Sequence, residues 1–200
     1  MPRIEPVQVA DTRGKQHELF ERVQRQMGMV PNLLKTLGHS SAALSAYLNF
    51  SQSLHTALTP VLREQIALAV AGINECDYCA SAHSALGARV GIEGQELTAN
   101  LLGESQNTDT RAALQFARTI VEKRGLISDN DLQDARAAGF TNKEIIELVT
   151  VVALSLFTNY VNHIARTDID FPVVHATSAG SRQTAEDSIT NDTVARLIDR

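Results

Sequence analysis

The stretch PVLREQIALAVAGINECDYCASAH, residues 60–83, holds both cysteines of a 200-residue chain, one of its six histidines, and a glutamate beside an apolar run. Thr59 followed by Pro60 is a helix start. The hydroxyl can accept from the first unpaired N–H groups, and proline is pre-set for the first helical position. This helix is expected to run to about Ala71, after which Gly72 to Glu75 break the pattern. A second helix is expected to begin near Asn74 to Asp77 and run to Val90, with Gly91 just past its end. Ile66 to Ala71 are all apolar, so that part of the first helix should be buried. If the two helices pack side by side, Glu64 reaches His83 and orients it, directly or through a water.

Helix signals recur in both directions from this pair, and strand signals are almost absent. Upstream, helices are expected over His17 to Gln26, over a short stretch opened by Pro31 and ending at Leu37, and from a cap at Ser40 to about His55. Downstream, GIEGQELTANLL allows a short helix, and Asp109 to Lys123 form one that Gly125 stops. Ser128 with Asp131, and Thr141 with Glu144, have the spacing of capping boxes. The last helix is expected from Asn142 to about Thr167 and is apolar on nearly every side in its middle. That pattern points to the centre of a domain or a subunit interface. The segments 41–90 and 109–165 each read as helix pairs and allow an old duplication. The fold class is therefore all-α, with a domain over 1–172 and a mobile Ser/Thr-rich tail over 173–200.

Composition narrows the function. Apolar residues make up 44% and charged residues 20%, ordinary globular usage, and the net charge of −5 argues against nucleic acid as a partner. The N-terminus, MPRIEPVQVA, lacks the basic and apolar segments of a signal peptide. The longest apolar run, Ile145 to Phe157, is interrupted by Glu147, Thr150 and Ser155 and is shorter than the roughly 20 residues that cross a bilayer. The expectation is a cytoplasmic protein without a membrane partner. Thiols there are kept reduced, so a close cysteine pair suggests redox or metal chemistry.

Cys76, Cys79 and His83, at offsets of three and seven, fall near one face of the start of a helix. Unpaired N–H groups and the helix dipole there favour thiolates. A Cys-x-x-Cys pair at this place can close a disulfide with little backbone movement, and His83 sits one turn from Cys79, in position to exchange a proton with it. Other readings stay open on the residues alone: two small buried hydrophobes, or a zinc site built from Cys76, Cys79, His83 and Glu64. Haem attachment in its usual form is excluded, since Ala80 stands where histidine is needed. Asn159 and His163, four apart on the last helix, are either a polar patch or lining of the site or of an interface. Tyr78 reads first as a packing aromatic and second as site lining.

EQIALAVAGINECDYCASAH, residues 64–83, resembles the core motif of the carboxymuconolactone decarboxylase superfamily in its AhpD-like alkylhydroperoxidase branch: a glutamate, eleven residues, Cys-x-x-Cys, three residues and a histidine. Glu64, Cys76, Cys79 and His83 match every spacing. MVPNLLKTLGHSSAALSAYLNF upstream and FTNYVNHIARTDIDFP downstream resemble the flanks of peroxidase-related members, so the likeness runs from about Gln16 to Pro172. It implies an all-helical fold assembling into trimers or hexamers, and reduction of hydroperoxides by a dithiol without metal or other cofactor. By position it implies Cys79 as the attacking thiolate, Cys76 as the resolving thiol, Glu64 and His83 as a proton relay, and an external dithiol or redox protein as reductant. Tyr78 stands where the best-studied branch has a second histidine, and a phenol does not titrate near neutrality. The alternatives are an adaptor passing electrons to a separate peroxidase, and lactone decarboxylation, whose branch usually lacks the cysteine pair.

Overall fold

A computed structural model describes residues 1–176. Every regular element among them is helical: α1 (Gly14–Met27), α2 (Asn32–Leu37), α3 (Ser41–Ser53), α4 (Pro60–Ile73), α5 (Asp77–Arg89), α6 (Gly94–Leu101), α7 (Thr108–Glu122), α8 (Asp129–Ala137) and α9 (Asn142–Ala165). Two 3-10 turns, Val9–Asp11 and Leu54–Thr56, complete the list. The caps are those the side chains dictate. Thr59 accepts from Leu62 N–H at the start of α4, and both expected capping boxes form, Ser128 with Asp131 and Thr141 with Glu144.

The expected boundaries hold to within a few residues, and the differences have local causes. Pro31 caps α2 in extended conformation and does not enter it. The helix over 41–55 breaks into α3 and a 3-10 turn. α9 stops at Ala165 because Arg166 turns left-handed, at φ 48°, and sends its N–H back to Asn162 O. Segments 41–90 and 109–165 each contain three helices rather than pairs.

α4 is the axis of the fold and packs against α5, α6, α7 and α9. Its two faces serve two cores. Leu68 and Ala71 join Phe20, Leu44, Leu37, Cys76 and Cys79 in one, while Ile66, Ala69 and Val70 join Leu114, Ala117, Leu148 and Val152 in the other. α4 is therefore apolar on nearly all sides, as its sequence implies. At Gly72 it approaches α6 so closely that a Cβ would collide with Leu101 O.

α9 is buried within the chain on one side only. Ile145, Leu148, Val151 and Val152 are buried, but Ile146, Val149, Phe157, Tyr160 and Ile164 form an exposed apolar stripe on the opposite side. At 24 residues and mean hydropathy 1.5 the helix is long and apolar enough to cross a bilayer, although its apolar run is short. Its inner face reads as that of a core helix, since it carries buried Ser155, Thr158, Asn159 and Asn162.

After α9 the chain returns across α5. Asp170 accepts from Tyr78 Oη–H and from Asn32 N–H, at 2.8 and 2.7 Å. Val174 N–H donates to Ser81 Oγ, and Ala176 N–H donates to Asp77 Oδ1, both at 2.9 Å. Residues 173–176, assigned to a mobile tail on sequence grounds, thus include anchored backbone; the rest of that tail, 177–200, lies outside the described residues.

Candidate active site

The link between α4 and α5 is tight. Glu75 adopts φ 53°, and Cys76 becomes the N-cap of α5, its Sγ accepting from Cys79 N–H at 3.3 Å. A thiolate at Cys76 would occupy the place of an N-capping oxygen, where backbone N–H groups and the helix dipole favour negative charge. Cys76 and Cys79 are joined as a disulfide, Cα atoms 5.3 Å apart, and both are buried. Asn162 Nδ2 on α9 donates to Cys79 Sγ at 3.3 Å. Each sulfur therefore faces one N–H donor.

Glu64 and His83 meet across the α4–α5 contact. His83 Nδ1–H donates to Glu64 Oε2 at 2.7 Å, with both side chains about a quarter to a fifth exposed, at 25% and 21%. This bond sets the tautomer. With the proton on Nδ1, Nε2 carries the lone pair, and it has no hydrogen-bond partner among the described residues.

Two pockets flank the disulfide. The inner cavity, about 470 Å³, is walled by Cys79, His83, Glu64 and Asn162 together with apolar side chains such as Leu48 and Leu154. That volume suits a small organic molecule. Tyr47 lines it too, its hydroxyl pushed up to about 12 by burial and then by the charge of Glu64, so it faces the cavity as a neutral group. The outer pocket, about 540 Å³, is walled by Cys76, Arg3, Arg166, His163, Glu75 and Thr167, among others. Tyr78 and Asn162 line both pockets and form the partition between them.

The structure brings Glu64, Cys76, Cys79 and His83 together. Tyr78 is lining, and its hydroxyl, besides donating to Asp170, accepts from Leu33 N–H at 3.1 Å. Burial, foremost, holds its pKa far above the ordinary phenol value, so it acts as a fixed neutral tie between α5 and the start of α2. His163 lines the outer pocket and bonds Asn74 O at 2.8 Å. Asn159 lines neither; it is wholly buried and accepts from Asn74 Nδ2 at 3.0 Å, holding the α4–α5 link. Among the described residues no group of three or more His, Cys, Asp or Glu side chains is placed to hold a metal ion.

Asn162 is the residue that sequence reasoning missed. A signal existed: Ser155, Thr158, Asn159 and Asn162, at the spacing of a buried helix face, are polar in an otherwise apolar helix. Polar residues at core positions need partners, and one of these has a sulfur.

Residues 41–122 match the model of the carboxymuconolactone decarboxylase family. The chain thus carries a match to this family over α3 to α7, and its fold is AhpD-like. An uncharacterized peroxidase-related protein from Silicibacter sp. TM1040 superimposes with a TM-score of 0.73 at 25% identity, covering 83% of this chain and 92% of its own. The alkylhydroperoxidase AhpD core of an uncharacterized peroxidase-related protein from Ralstonia eutropha JMP134 does so at 0.74 and 23%, covering 84% and 92%. The debrominase Bmp8 shares the fold at 0.71 and 20%, with the same coverage of 84% and 92%. No curated protein matches the sequence.

Proposed function

We propose that this AhpD-like protein is a thiol-dependent peroxidase that reduces organic hydroperoxides through the Cys76–Cys79 pair. The observation that carries the reading is one cavity wall holding a sulfur with an amide donor (Cys79 and Asn162) and an imidazole whose tautomer a carboxylate sets (His83 and Glu64). In the reduced protein His83 Nε2 takes the Cys79 proton, and Asn162 Nδ2–H stabilises the thiolate. The thiolate attacks the distal peroxide oxygen and the O–O bond breaks. The alkoxide leaves with the proton returned by His83, and Cys79 becomes a sulfenic acid. The Cys76 thiolate then displaces hydroxide from Cys79 sulfur, giving water and the disulfide. A dithiol or a redox protein returns two electrons. The mostly apolar cavity favours an organic hydroperoxide over hydrogen peroxide. The exposed stripe on α9 supports a homo-oligomer, trimer or hexamer, and cycling through a dithiol suits the cytoplasm.

A second reading has one observation in its favour. The inner cavity also suits an apolar ring, and a debrominase shares the fold. The dithiol would then supply two electrons to replace halogen by hydrogen. The adaptor and lactone alternatives gain no support from the cavity.

The test measures turnover of cumene hydroperoxide, hydrogen peroxide and a bromopyrrole with several dithiols, beside the Cys79→Ser variant. Cumene hydroperoxide consumption that Cys79→Ser abolishes is expected. Bromide release without peroxide turnover would favour the second reading. Turnover seen only when a separate peroxidase is added would favour the adaptor.

A further inference from the structure

The two sulfurs open to different places. Cys79 lines the inner cavity and not the outer pocket, and Cys76 lines the outer pocket and not the inner cavity. We propose that the outer pocket is the entry site for the reductant, that this reductant is an anionic dithiol, and that it attacks Cys76 from the side opposite the peroxide. The proposal deepens the peroxidase reading and rests on it only for the oxidising half of the cycle.

The charge comes from Arg3 and Arg166. Both are anchored at the end of α9 by their own backbones: Arg3 N–H donates to Ala165 O at 2.6 Å, and Arg166 N–H donates to Asn162 O. Both side chains are exposed at the pocket, and neither guanidinium has a hydrogen bond or ion pair among the described residues. Of the carboxylates at the same pocket, Asp77 spends both oxygens on His175 and Ala176 N–H, and neither it nor Glu75 forms an ion pair with Arg3 or Arg166, so both guanidiniums stay available to a ligand. The site therefore favours a ligand that brings negative charge.

A second observation points to a ligand. Asn162 is 4% exposed, and its Oδ1, on the partition that both pockets share, has no partner. Thr167 Oγ1, on the wall of the outer pocket, is also buried and unpartnered. Buried polar atoms normally have partners, and two that lack them at one pocket mark where a donor belongs.

The chemistry balances. One thiolate of the reductant attacks Cys76 Sγ and the Cys76–Cys79 bond breaks. Its electron pair goes to Cys79, which leaves as a thiolate beside Asn162 Nδ2–H. The second thiol of the reductant loses its proton to solvent and attacks the mixed disulfide at the reductant sulfur. Cys76 leaves as a thiolate, and the reductant, oxidised by two electrons, closes as a cyclic disulfide. Access decides which sulfur is attacked, as in thiol–disulfide exchange generally.

The test uses no peroxide, so it stands apart from the peroxidase reading. The full chain is oxidised with diamide, and reduction of its disulfide is followed by thiol labelling. The reductants are 2,5-dimercaptoadipate, which carries two carboxylates and closes a six-membered disulfide ring as dithiothreitol does, and neutral dithiothreitol. In Arg3→Ala/Arg166→Ala the rate ratio of dimercaptoadipate to dithiothreitol should fall about tenfold, the size expected for two partly exposed charge contacts. Because the readout is a ratio, general damage to the variant cancels. A ratio unchanged within twofold would overturn the charge recognition. The direction of attack is read with the dianionic reagent 5,5′-dithiobis(2-nitrobenzoate): Cys76 in Cys79→Ser should react at least about tenfold faster than Cys79 in Cys76→Ser, and the reverse order would overturn the two-sided arrangement.

Discussion

Replacing Asn162 by alanine isolates one hydrogen bond to the attacking sulfur. In the structure Nδ2–H donates to Cys79 Sγ at 3.3 Å, and Oδ1 bonds nothing. The substitution therefore removes one donor to the sulfur and one unpartnered acceptor, and stability should change little. A hydrogen bond to a charged group contributes about 1.5–3 kcal/mol. At 1.36 kcal/mol per pH unit, the Cys79 pKa should rise by about one to two units. Below that pKa the thiolate fraction, and with it the rate of sulfenic acid formation, should fall about 10- to 100-fold. The assay is dimedone trapping by stopped flow in a Cys76→Ser background, at pH values from 5 to about 10. The expected result is a pH–rate profile shifted to higher pH, with wild-type rates recovered on the alkaline plateau. A rate lowered equally at every pH would mean that Asn162 only shapes the cavity. A rate changed by less than about twofold at neutral pH would refute the thiolate-stabilising role.

His83→Ala should slow sulfenic acid formation by about 10²- to 10⁴-fold, and Glu64→Ala by less, because the imidazole remains; equal rates in His83→Ala and wild type would remove the proton relay. The difference between the alkaline absorbance titrations of wild type and Tyr47→Phe should have its midpoint at about 12. A midpoint at the ordinary phenol value would place that hydroxyl in water rather than against the cavity. Ile146 and Ile164 are 65% and 64% exposed on the stripe of α9, so Ile146→Asp/Ile164→Asp should dissociate the assembly to a folded monomer, read by sedimentation. Wild type that sediments as a monomer would contradict the inference of an oligomer.

The local geometry was written in local residues. Thr59-Pro60, the two capping boxes and the Cys-x-x-Cys offset each act over three or four positions, where side chains reach their own helix. Glu64 and His83 were legible because α4 and α5 are consecutive and antiparallel neighbours are common after a short link. Asn162 was not: it lies 83 residues from Cys79, and nothing in α9 says which turn faces the pair. The same distance problem hid Asp170, 92 residues from Tyr78, which ties the returning chain to α5. Apolarity on all sides of α9 points to a domain centre or a subunit interface, and composition does not tell which face is buried within the chain and which is left to a partner.

The disulfide spans a sequence separation of only 3. A cross-link restrains the unfolded chain in proportion to the logarithm of the loop it closes, and for so small a ring the chain-entropy model gives about 2 kcal/mol, against roughly 4.7 for a 100-residue loop. Opening it therefore takes little from the fold: the two sulfurs pack in one core, and the other, closed by α4, α7 and α9, contains none. The bond acts as an electron reservoir rather than a rivet: it can be emptied and refilled many times on a scaffold that holds its shape in both states.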